Sequence, residues 1–148
     1  MAVTVPELKN NAAAEPQQIR YDGIHCNLIM EQFPNGTIVL RISGTDTGEF
    51  ADVPLKVLNQ WIAGRAPFDF FIDARDVRGA SIAVSAEWAV WLSAQKQVLR
   101  SVTMLTGSRF IQVTAEFVRR FANLEGAMMI CTEPAVFDHA LAGAVKLP

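Results

Sequence analysis

Residues Phe68 to Leu92 read FDFFIDARDVRGASIAVSAEWAVWL, and the fold turns on this stretch. Phe68, Phe70, Phe71 and Ile72 form an apolar run that stops at Asp73. A charged loop containing Gly79 follows, and a segment of helical period opens near Ser85. The pattern predicts a central strand that hands its carboxyl end to a polar loop and a helix N-terminus. In open α/β sheets, ligands and partners engage at that edge.

Upstream, Ile24, Cys26, Leu28 and Met30 alternate with His25, Asn27 and Glu31, the period-2 signal of a half-buried strand. Pro34-Asn35-Gly36 turns the chain, because Asn-Gly tolerates positive φ, and Thr37 to Ser43 returns as the second strand of a hairpin. Gly44 to Gly48 is a loop by its turn chemistry. A helix is predicted from Asp52 to about Ala63, with Pro54 in its first turn and Gly64 past its end. Strand, helix and strand in that order imply a right-handed parallel crossover.

Downstream, Ser85 is read as the cap of a helix reaching Leu99, with Val84, Trp88, Leu92, Gln95 and Leu99 on one side and Trp91 and Val98 beside them. Trp88 and Trp91 read as core. Val90 falls on the opposite side, where an apolar residue calls for a cover, and a homodimer through this helix is one way to supply it. Val102 to Thr106 is a short buried strand, and Gly107-Ser108 turns into the next helix. There Phe110, Val113, Phe117, Phe121 and Leu124 stripe the expected inner face. Ala127 to Cys131 gives the last strand and Thr132-Glu133-Pro134 restarts a short closing helix. The leader, residues 1–20, shows no sustained period and is expected to be flexible; residues 21–148 read as one domain.

Composition limits the function classes. At 148 residues a chain hides roughly 68–70% of its unfolded surface, enough for a core without staples. The formal net charge of -2 gives no overall basic field for nucleic acid. No apolar run approaches the length of a membrane span and no signal peptide is expected, so the chain reads as cytoplasmic. Cys26 and Cys131 lie inside predicted strands and read as small buried hydrophobes. His25 and His139 have no metal-ligand spacing around them, and no nucleotide-binding or nucleophile-elbow motif is present. No cofactor, no metal and no catalytic residue is expected.

The order β-β-α-β-α-β-α-β-α resembles the STAS family, the sulphate-transporter and anti-sigma-factor-antagonist domains. Ile38 to Asp46 resembles its strand ending in a Ser-Gly-x-x-Asp-like turn, and Phe70 to Val77 its central strand. Phe117 to Leu141 resembles its closing helix, turn, strand and helix. The phosphorylatable Asp-Ser-Ser-Gly or Asp-Ser/Thr-x-Gly of antagonist members is absent between Arg78 and Ser85, which is closer to the SpoIIAA-like subgroup. The resemblance implies a single α/β domain with a mixed, mainly parallel five-stranded sheet and about four helices. It also implies a non-enzymatic regulatory module that docks a protein, a kinase or an anti-sigma factor among the candidates.

The residues expected to carry docking or accept a phosphate are Asp73, Arg75, Asp76, Arg78, Ser81 and Ser85, with Asp46 supporting the loop. Arginines beside a helix N-terminus suit an anion or an acidic partner. The plain reading is that Ser85 only caps and the arginines are solvated. The alternative function is a Sec14-like domain that binds a small apolar or lipid-like ligand in a cleft beside the sheet, lined by phenylalanines such as Phe110 and Phe117.

Overall fold

A computed structural model describes residues 16–64 and 67–146. Its elements are β1 (Gln17–Asp22), β2 (Cys26–Gln32), β3 (Ile38–Asp46), α1 (Val53–Ile62), β4 (Phe68–Ala80), α2 (Ile82–Ala94), β5 (Leu99–Thr106), α3 (Arg109–Phe121), β6 (Met128–Cys131) and α4 (Pro134–Val145). The six strands stand in sequence order, β1-β2-β3-β4-β5-β6. β1, β2 and β3 form an antiparallel meander, and β3 to β6 are parallel.

The predicted hairpin forms with Gln32 opposite Ile38. Gly36 takes φ 93°, and the Asn35 side chain accepts from Thr37 N at 3.0 Å. β1 is the strand that sequence reading did not supply, so the sheet has six strands where five were expected. The expected leader lies outside the described residues as far as residue 15; from Gln17 onward the chain pairs along β2.

Right-handed crossovers that step in one direction put α1, α2 and α3 on one face of the sheet, and α4, which follows the last strand, packs on the other. The larger core lies under the three helices, where Leu28, Met30, Leu40, Phe70 and Val102 meet Leu58, Trp61, Trp91, Leu92 and Val118. The smaller packs Val39, Phe71 and Leu105 against Phe137 of α4. The strand order never reverses, so the crevice of a topological switch point is absent. A binding site must come from elsewhere.

Two expectations are corrected here. β4 does not end at Asp73 but continues through Ala80, because Asp76, Val77, Gly79 and Ala80 keep pairing with β3 across two register shifts. What read as a charged loop is therefore mostly strand. The cap of α2 is Ser81, whose Oγ accepts from Val84 N at 3.1 Å; Ser85 sits one turn inside, its N–H donating to Ser81 O at 3.0 Å.

Candidate functional site

β4 alternates its side chains between the two faces of the sheet, and this separates the expected site residues into two groups. Ala74 and Val77 turn toward α3 and pack with Ile111. Asp73 and Arg75 turn toward α4, and Asp76 and Arg78 stand exposed on either side of Val77.

Asp73 is 7% exposed and fully engaged. Arg41 Nη1 donates to its Oδ2 at 3.0 Å, and Arg75 Nε donates to Oδ1 at 3.0 Å. Arg75 then reaches across to α4, where Nη2 donates to Asp138 Oδ1 at 2.8 Å, while Arg41 also donates to Glu31 at 3.3 Å. The Asp73 carboxylate, ahead of Asp138, raises the Arg75 guanidinium above its ordinary range. A buried carboxylate needs such partners, since unpaired charge in the interior is costly. This chain of ions ties β2, β3, β4 and α4 together. Sequence reading missed Arg41, Glu31 and Asp138; the available signal was a lone arginine inside the apolar run Ile38 to Ile42.

The second group lies at the start of α2. Asp46 ends β3, and its backbone oxygen accepts from Ser81 N at 2.9 Å. Its carboxylate accepts from Gly48 N at 3.0 Å, closing the loop that follows. Ser85 faces inward from the first turn. Both line a partly open cavity of about 100 Å³ between the sheet, α2 and α3.

The cavity is apolar in its body. Leu40, Ile72 and Met104 floor it, Val84, Trp88 and Leu92 wall it from α2, and Ile111, Ala115 and Val118 from α3. Asp46, Ser85 and Thr114 supply its polar side chains. The cleft expected beside the sheet thus exists, but Phe110 and Phe117 do not line it. They are 63% and 56% exposed, because α3 turns Ile111, Ala115 and Val118 inward instead. A cleft of this kind suits a small apolar ligand; an engineered apolar cavity of about 150 Å³ holds benzene.

Among the described residues no group of three His, Cys, Asp or Glu is placed to hold a metal, and no helix is long and apolar enough to cross a membrane.

A crystal structure of an uncharacterized DUF3478-family protein with a SpoIIAA-like fold, from Shewanella loihica PV-4, matches this chain with a TM-score of 0.60. Sequence identity is 14%, and the match covers 82% of this chain and 98% of that one. No family model and no curated protein matches the sequence. The chain has a SpoIIAA-like α/β fold, as the resemblance implied; at this identity the likeness concerns the fold alone.

Proposed function

We propose that this chain is a binding module without catalytic chemistry, holding a small apolar or lipid-like ligand between α2, α3 and the sheet. One observation carries the reading: an apolar cavity of about 100 Å³ whose polar side chains are Asp46, Ser85 and Thr114. Interiors are ordinarily packed with few voids larger than a water molecule. Apolar walls would take the ligand, while the Asp46 carboxylate and the Thr114 hydroxyl are already engaged by Gly48 N and Phe110 O. Native mass spectrometry of protein purified from its own cells tests this. A co-purified mass is expected, and Ala115→Leu should displace it by filling the chamber. A bare protein mass for both forms sinks the reading.

A second reading, a cytoplasmic regulatory module that docks a protein, is favoured by Asp76 and Arg78. Both are exposed on β4 in a region that α4 leaves uncovered, close to the capped start of α2. An acidic or phosphorylated partner would meet Arg78 and the free N–H groups of that helix end. Affinity capture with Arg78 and Ser85 substituted decides it. If every partner captured by the unaltered protein stays bound, this corner is not the docking site.

A further inference from the structure

Helix α2 has one charged residue, Glu87, among its thirteen. Val84, Ala89, Trp91 and Leu92 fill its inner side. Its outer side is not polar in compensation: Ile82 is 89% exposed and Val90 57%, with Ala83, Ala86 and Ala94 around them. A helix that is apolar all round is normally covered all round.

Two features flank that uncovered side. Toward α3 runs a ridge of Phe110, Val113, Phe117 and Phe121, each more than half exposed. Thr114, next to the ridge on the helix, lines the cavity shared with α2, so the ridge stands on the α2 side of α3. Toward α1 runs an open groove of about 640 Å³ whose α2 wall carries Ala83, Ala86, Val90 and Ala94, with Glu87, Trp91 and Gln95 beside them. Ridge and wall share one spacing, i, i+3, i+7, i+11. Three phenylalanines and a valine make the ridge, and three alanines and a valine make the matching row of the hollow.

We propose that a second copy of this chain covers the face, in a twofold dimer where each copy's α3 ridge lies in the other's α1–α2 groove. A twofold axis parallel to α2 in the plane of the face exchanges its two flanks and preserves helix direction. Ridge then meets groove twice, and α2 packs on its counterpart through alanines. Charge order agrees. α1 and α3 both start at the carboxyl edge of the parallel strands; from there the α1 wall presents Asp52 then Lys56, an exposed pair 3.6 Å apart within one copy, and the outer flank of α3 presents Arg109 then Glu116. Opposite signs therefore meet in sequence across the interface.

Area points the same way. Four half-exposed ridge side chains offer roughly 400 Å², at about 150–250 Å² for a whole aromatic side chain. A standard interface takes about 800 Å² from each partner. Ridge against ridge falls short of this and sets Glu116 near its own copy, whereas the twofold arrangement adds the groove and the crest of α2 to each copy's share.

Light scattering and native mass spectrometry of the full chain at about 50 µM, where mass action favours association, should give twice the 16.2 kDa monomer. Phe117→Glu and Ala86→Trp should each weaken the dimer by about 100-fold or more, as central interface changes do, with circular dichroism unchanged because both positions are exposed. Mixing the two monomeric variants should restore a dimer, since one pairing joins an intact ridge to an intact groove. Independently, Asp52→Arg should weaken association and Arg109→Asp in the same chain should recover part of it. An unaltered chain that stays monomeric overturns the proposal, including one that instead binds anionic vesicles. So does a dimer indifferent to Ala86→Trp, or variants that fail to recover on mixing.

Discussion

Arg75 of β4 and Asp138 of α4 are joined by a 2.8 Å hydrogen bond whose donor is simultaneously held, through Nε, by the buried carboxylate of Asp73. The two carboxylates sit in different surroundings. Asp138 is 55% exposed at its side chain and Asp73 is 9% exposed. An exposed ion pair contributes about 0–1 kcal/mol. Losing Asp73 instead removes hydrogen bonds to both Arg41 and Arg75 and leaves them only Glu31 and Asp138, at roughly 1.5–3 kcal/mol for a hydrogen bond to a charged group. Asp73→Ala should therefore lower the urea midpoint several times more than Asp138→Ala. Equal losses would mean that Asp73 does not organise the network.

Ser81 and Ser85 give a second contrast. Ser81 accepts the Val84 N–H through its side chain, and Ser85 uses only its backbone in the first helical hydrogen bond. Ser81→Ala should cost about 1 kcal/mol, and Ser85→Ala less than about 0.5 kcal/mol. Thermal unfolding of the pair measures both. The reverse order would restore Ser85 as the cap.

How far the sequence was readable depends on what each signal encodes. Alternation with Pro34-Asn35-Gly36 specified the β2–β3 hairpin, since period and turn chemistry are both local. The middle of β4 was readable because Phe70, Phe71 and Ile72 have no other place than a doubly covered sheet. The end of β4 was not, because Asp73 to Ala80 is charged and small, and its strand geometry comes from pairing with β3. Helix α3 shows the deeper limit. It carries two apolar stripes, one of phenylalanines and one of Ile111, Ala115 and Val118. Periodicity finds both but does not say which faces in. The larger residues looked like core, yet the small ones let the helix approach the sheet. β1 offered only Ile19 and Tyr21 alternating with Gln18 and Arg20, too short a run to stand out.

Gly107 and Gly126 separate close approach from open space. A Cβ on Gly107 would collide with the carbonyl oxygen of Arg75 and lie 3.0 Å from its carbonyl carbon; one on Gly126 would meet nothing within 4 Å. The Arg75 carbonyl belongs to a central strand and cannot swing aside as a side-chain tip would. Gly107→Ala should destabilise by roughly 3 kcal/mol or more, in the range of backbone strain. Gly126→Ala should be neutral or stabilise by up to about 1 kcal/mol through the unfolded chain's lost freedom. Chemical denaturation of both variants checks the difference, and similar midpoints would show that β5 and β4 can part at this turn.

Cys26 sets the alkaline behaviour. It is 2% exposed on β2, and burial first, then the carboxylates of Asp46 and Glu49, push its thiol up to about 11. In the unfolded chain the same thiol ionises near 9. The folded state thus favours the neutral form, so this contribution to stability is complete below the unfolded value. It is lost as pH rises toward the folded value, because the unfolded chain releases its proton first. Denaturation midpoints of the unaltered protein should fall between about pH 9 and 11 more steeply than those of Cys26→Ala, which has no thiol to ionise. Parallel curves for the two proteins would mean that Cys26 ionises as readily inside the sheet as in the open chain.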